Sequence, residues 1–216
     1  MRNLEIKNND CHAALAMTKS VQSGRSMIEM LGVLAIIGVL SVGEIAGYSK
    51  AMMKYRINKT IEQITLIAGN IHTFFANQRS YADLNSNDKM TIIKKAKLVP
   101  DEMLTLDSDG NITAMTNPFG GNVDLTGFAH SNENQVDQGK GYFCIYYDEV
   151  PEEACIDLMS QDWSATGAKY ICAYAPNPNC MSTPDIAVAQ TICSNRTREY
   201  LFLSFDGTET FEHTFY

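Results

Sequence analysis

The sequence predicts an α+β protein: a long N-terminal α-helix whose apolar first half protrudes and whose second half packs on an antiparallel β-sheet. Three observations predict it. No proline interrupts residues 26–77, the apolar side chains between 57 and 75 recur at steps of three and four, and four later segments are dense in aromatic and β-branched residues. The first two are the marks of one long helix, and the third is the mark of strands.

Residues 1–24 are polar, carry Arg2, Lys7 and Lys19 against Glu5 and Asp10, and have no hydrophobic period, so they read as a leader. From Met30 to Gly43 the run MLGVLAIIGVLSVG holds no charge. As helix it is roughly 21 Å long, short of a bilayer core of about 30 Å. Extension to Ser26 and Ser49 gives about 36 Å and places Glu29 and Glu44 within the apolar length. Farther on, Ile57, Ile61, Ile64, Ala68, Ile71 and Phe75 mark one face, with Lys54, Asn58, Lys59, Glu62 and Asn70 between them. The whole is one helix of about fifty residues, roughly 75 Å long. The chain thus divides into a leader (1–24), an apolar helical segment (25–50), its amphipathic continuation (51–77) and a globular α+β head (78–216).

In the head, a short helix is expected over 88–97, stopping at Pro100, followed by a hairpin in LTLDSDGNITAM around Asp109 and Gly110. A polar loop is expected over 130–141. Strands are expected at YFCIYY (142–147), KYICAYA (169–175), EYLFLSF (199–205) and FEHTFY (211–216), with a helix starting at Pro151.

Composition narrows the function. With 216 residues and 45% apolar content, the chain has room for one domain and an appendage. A net charge of -8 without a basic cluster suited to backbone phosphates argues against nucleic acid as a partner. Cys11 stands alone, whereas Cys144, Cys155, Cys172, Cys180 and Cys193 crowd the last third, which suits an oxidising compartment. No C-x-x-C spacing is present, so neither a zinc knuckle nor a thioredoxin-like pair is expected.

Catalysis finds no support either. LFLSFDGT approaches the phosphatase pattern of a strand followed by Asp-x-Asp-Gly-Thr, but Ser204 occupies the nucleophile's place, and Asp206-Gly207 reads as a hairpin turn. Asp107-Ser108-Asp109-Gly110 hints at a calcium loop, yet Thr105 and Thr116 stand at its first and twelfth positions, so a turn is expected. His12, His72, His130 and His213 are scattered, with no His-Glu-x-x-His motif. No catalytic residue, metal or cofactor is expected.

The informative segment is Ser23-Gly24-Arg25-Ser26-Met27-Ile28-Glu29, followed directly by the apolar run. It resembles the processing motif of type IV prepilins and of the related type II secretion pseudopilins. The resemblance implies that a prepilin peptidase cuts after Gly24 and that the new terminus, Arg25, is methylated. Glu29 then becomes the fifth mature residue, where the family has its glutamate. A charged side chain at the centre of a membrane helix costs about 2.5–3.5 kcal/mol on insertion scales, so a partner is expected. In the family that partner is the terminal amine of the neighbouring subunit, which sets axial register.

Two departures refine the resemblance. Arg25 stands where the family usually has Phe, Met or another apolar residue. Ala46 stands where type IVa pilins have proline, and this, with the long polar leader, looks more like type IVb pilins, the class of toxin-coregulated and conjugative thin pili. Gly38, Ser41 and Gly43 resemble the small residues of that class, and FFANQRSY, LVPDEM, NPFGG and VPEEAC look like its later landmarks. The family carries a disulfide-bounded C-terminal region. Here the favoured pairs are Cys172 with Cys180, closing the loop APNPN, and Cys155 with Cys193, tying the second short helix to the C-terminal sheet. Cys144 is left over, either buried as a small apolar residue or in another pairing, because connectivity does not follow from sequence.

What the resemblance implies is a structural subunit, a major or minor pilin. It is held in the bacterial inner membrane by a single helix and then extracted into a surface filament for adhesion, aggregation, motility or conjugation. Its partners would be identical or related pilin subunits in a helical homopolymer, the prepilin peptidase, the pilus assembly ATPase and its inner-membrane platform. The nearest rival is a type II secretion pseudopilin. From another class comes a secreted soluble disulfide-containing binding or enzyme domain, with an ordinary signal peptide cut near Gly43 or Ala46.

Overall fold

The computed structural model describes residues 26–78, 80–128, 141–175, 177–194 and 200–206. The expected leader, most of the polar loop after 130, the turn at Gly207 and the strand over 211–216 lie outside the described residues. The chain divides into two units, Met1–Gly47 and Tyr48–Tyr216.

Helix α1 runs unbroken over Met27–Phe74. In the first unit its large side chains are exposed all round, from 46% at Val33 to 86% at Met27, as expected of a stretch with no polar face. In the second unit Ile57, Ile64, Ile67, Ala68, Ile71 and Phe75 are buried in the core of the head. The buried face is wider than the sequence suggested, since it also takes in Thr60 and Gln63. Thr60 is satisfied there by donating to the Arg56 carbonyl at 2.9 Å. Gln63 donates to Glu102 at 3.2 Å.

After α1 come a short 3-10 turn (Ala82–Asn85) and α2 (Lys89–Ala96), which ends on Lys97 in the left-handed conformation, φ 49°. A second 3-10 turn, Asp101–Met103, leads into the hairpin of β1 (Leu104–Leu106) and β2 (Ile112–Met115). The main sheet contains β3 (Val123–Gly127), β4 (Phe143–Asp148), β5 (Ala168–Ala175), β6 (Asn177–Met181) and β7 (Tyr200–Phe205), in the order β3-β4-β7-β5-β6. All its pairings are antiparallel.

Period-two alternation then sorts the side chains. Phe143, Ile145 and Tyr147 of β4, opposite Phe205, Leu203 and Leu201 of β7, join Ile171, Ala173 and the buried residues of α1 in one core. Cys144, Cys172 and Phe202 point to the other face and cluster with Tyr142, Tyr146, Tyr170 and Tyr200.

Three elements were not foreseen. β3 and α4 (Ile186–Cys193) lie where the sequence pattern predicts no element, and β6 occupies the expected loop APNPN. α4 starts at Asp185, whose carboxylate accepts from the Ala187 and Val188 amides at 2.8 and 3.0 Å. This is a side-chain cap on two otherwise orphan donors. α3 (Glu152–Met159) begins directly after Pro151 and packs on α4.

Candidate functional site

The predicted processing pair, Gly24 and Arg25, lies outside the described residues. Glu29 sits in the first turn of α1, its amide donating to the Ser26 carbonyl at 2.8 Å. Among the described residues its carboxylate has no partner, and a helix N-terminus favours negative charge there. Among the described residues a methyl group added at Gly32 or Gly38 would meet nothing within 4 Å, so packing among them does not require glycine at either position. Among the described residues no helix is long and apolar enough to cross a membrane.

The head is stapled twice. Cys172 and Cys180 face each other in register across β5 and β6, with Cα atoms 4.0 Å apart, so this bond closes a hairpin. Cys155 and Cys193 form the second bond, Cα to Cα 5.8 Å, across a separation of 38 residues. It ties α3 to α4, whereas a tie to the sheet was expected, because Cys193 is the last residue of the unforeseen helix. Cys144 is free and buried, and burial pushes its thiol up to about 11. Such a thiol is inert at neutral pH.

The motifs that resembled catalytic or metal sites have structural partners. Asp107 accepts from the Asn111 and Asp109 amides at 2.7 and 3.0 Å, and those bonds hold its carboxyl below the usual range. It thereby organises the turn between β1 and β2, and the Lys94 ammonium donates to the Gly110 carbonyl beside it. Asp206 accepts from the Tyr81 hydroxyl at 2.6 Å and lies 3.4 Å from His72 Nδ1, joining β7 to the end of α1. Burial first, then Asp206, pushes the Tyr81 phenol up. In NPFGG, Asn117 accepts from the Phe119 and Gly121 amides and donates to the Asp148 carbonyl at 2.8 Å. A side chain on Gly121 would come within 2.1 Å of that same carbonyl, so only glycine fits. Among the described residues no group of three or more His, Cys, Asp or Glu side chains could hold a metal ion.

A family model described as PilS N terminal matches residues 54–204, from the amphipathic half of α1 almost to the end of β7. The chain belongs to the PilS N-terminal family. The matched stretch contains the buried helix face, nearly all of the sheet and both disulfides. Two curated relatives, from Escherichia coli O127:H6 (strain E2348/69 / EPEC) and Escherichia coli O111:H-, are each described as the major structural subunit of bundle-forming pilus. Each is 25% identical over 154 residues, which is 71% of this chain and 72% of the relative. A crystal structure of a type IV b pilin from Salmonella typhi aligns with a TM-score of 0.49 and 16% identity, over 68% of this chain and 97% of that one.

Charge is also segregated along the sequence of the head. Residues 89–97 hold four lysines and no acid, while 148–168 hold six acids and no lysine or arginine. Charge patterning, read segment by segment, is the signal that marks both.

Proposed function

We propose that this PilS-family chain is a structural subunit, major or minor, of a type IVb-like pilus, and that its mechanism is polymerisation. The precursor is cut between Gly24 and Arg25, waits in the inner membrane on the first half of α1, and is drawn into an extracellular filament used for adhesion, aggregation, motility or conjugation. The observation that carries this reading is the exposed apolar stretch of α1. From Met27 to Leu40 large side chains stand in the open, an arrangement that water does not sustain without lipid or other helices as cover.

Membrane residence is supported by the charge-free sequence from Met30 to Gly43. The open space around Gly32 and Gly38 suits close approach by helices of neighbouring subunits. Glu29, without a partner among the described residues, pairs in this reading with the Arg25 amine of the next subunit and fixes axial register. Loss of a leader of net charge +1 leaves -9, which is unfavourable for holding DNA.

N-terminal sequencing with intact mass, on protein from cells that express a prepilin peptidase, tests the reading. A chain starting at Arg25, methylated or not, is the expected result. A start near Glu44 or Ile45 would make this a secreted soluble domain and remove the filament. Recovery of the Arg25 form only in periplasmic fractions, never in surface filaments, would favour the pseudopilin.

A further inference from the structure

The face of the main sheet turned away from α1 carries a groove of its own. Side chains alternate along each strand, so Val123 and Leu125 of β3, Tyr147 of β4 and Leu201 of β7 join the core with the second half of α1, while Asp124, Thr126, Tyr146, Asp148 and Tyr200 point the other way. These five line an open groove of about 310 Å³. Register sets its pattern. Asp124 stands opposite Tyr146 across β3 and β4, and Asp148 stands opposite Tyr200 across β4 and β7, so each carboxylate has a phenol ring beside it. The two rings meet edge to face with centroids 5.4 Å apart, and Phe202 stacks on Tyr146 at 5.2 Å.

The groove is short of positive charge. Asp124 is paired with Lys89, but among the described residues no lysine or arginine pairs with Asp148 or with the adjacent exposed Glu149. Burial first, then Glu149 and Asp124, push the Asp148 carboxyl up, against a hydrogen bond with the Asn122 side chain. An arriving cation relieves that repulsion. A metal ion is not the fit, since among the described residues no group of acids is placed to hold one. Ring walls also cannot replace the water of a small, strongly hydrated ion. A guanidinium is weakly hydrated, lies flat on an aromatic face and forks to a carboxylate through two parallel N–H donors.

We infer that this groove takes the guanidinium of an arginine exposed on another protein, with the plane of the cation on the Tyr146 ring and its N–H fork on the Asp148 carboxylate. The inference rests on the filament reading above, in which copies associate through α1; the face turned away from α1 is then the one left to a different partner, and the groove gives the proposed adhesion a chemistry. Charge complementarity selects that partner. A chain of net charge -8 draws basic surfaces toward it before contact, and the paired ring and carboxylate then distinguish arginine from other cations.

Saturation-transfer NMR on filaments of the full-length chain tests this, with N-acetylarginine methylamide as the probe and its lysine and citrulline counterparts as controls. The arginine probe is expected to bind about tenfold more tightly than neutral citrulline, and also more tightly than lysine. Asp148→Asn and Tyr146→Leu should each weaken it by about tenfold, whereas Tyr146→Phe, which keeps the ring, binds as the wild type does; that last result separates loss of the aromatic face from misfolding. Citrulline or lysine bound as tightly as arginine, or wild-type affinity in both Asp148→Asn and Tyr146→Leu, would overturn the site. The same titration on the detergent-solubilised full-length chain separates the two readings. Arginine binding there but not to filaments would mean that copies cover this face, which overturns an outside partner and leaves the filament standing. Arginine binding there by a wild-type chain that forms no filament would remove the filament and leave the groove.

Discussion

Residues 27–40 and 57–75 are both rich in Ile and Leu and both lie on α1 or at its end, yet the first set is exposed around the whole circumference and the second is buried along one face. Helical propensity does not separate them. What separates them is the placing of polar residues: Lys54, Lys59, Glu62 and Asn70 give the second half a wet side, so its dry side can close over β4, β5 and β7 of the same chain. The first half has no wet side and therefore no intramolecular solution. One helix serves as core for its own head and as an unfilled contact for something else.

Glu29→Val should strike hardest at the first half. Precursor processing continues, filament yield falls by an order of magnitude or more, and the melting temperature of the head does not move; normal filament yield would remove the register contact from the account. Next in size is the staple confined to the head. Converting Cys155 and Cys193 to serine should cost about 4 kcal/mol in unfolding free energy, against about 2.5 kcal/mol for Cys172 and Cys180, on a chain-entropy view in which the longer loop gains more. Denaturant titration of the two double variants reads the order directly, and equal losses would mean that unfolded-state loop length is not what matters.

Ile64→Ala, at a fully buried position, is expected to destabilise the head by about 2–5 kcal/mol, while Leu34→Ala leaves head unfolding unchanged. Comparable losses from both would mean that the first half has a partner in its own head. The smallest effect is electrostatic. The hydrogen bond from Lys59, with help from Gln63, holds the Glu102 carboxyl below its ordinary range. A lowered folded value contributes stability above the unfolded value of about 4.3 and loses it as the pH falls through the folded one. Glu102→Gln should therefore lower the melting temperature by only about 1–2 °C at pH 7, because the Glu102 side chain is half exposed, with the gap narrowing in acid.

The elements legible in the sequence are those whose pattern is long or dense. α1 has an uninterrupted helical period, and β4, β5 and β7 each concentrate aromatic and aliphatic residues because both faces of these inner strands are covered. Among the described residues β3 and β6 are the edges of the sheet, where one side of the backbone is unpaired and the sequence is freer. VDLTG is short and half polar. NPNCM contains a proline that a central strand would not tolerate but an edge strand does. α4 has eight residues and shows itself chiefly in Asp185, a cap whose meaning depends on the turn before it. The partner of Cys193 could be guessed, but what it ties together depended on that helix. The charge blocks were plain in the sequence. That one falls on α2 and the other on and around α3 needed the structure.

The outer strand β6 has a consequence for how the molecule avoids the wrong polymer. Pro178 offers no amide to a newcomer, and the Cys172–Cys180 bond prevents β6 from peeling off to expose the edge of β5. A sheet finished in this way resists strand addition, the route by which exposed edges seed amyloid. In the filament proposed above, the head is thus protected along β6 from fibrillising through its strands.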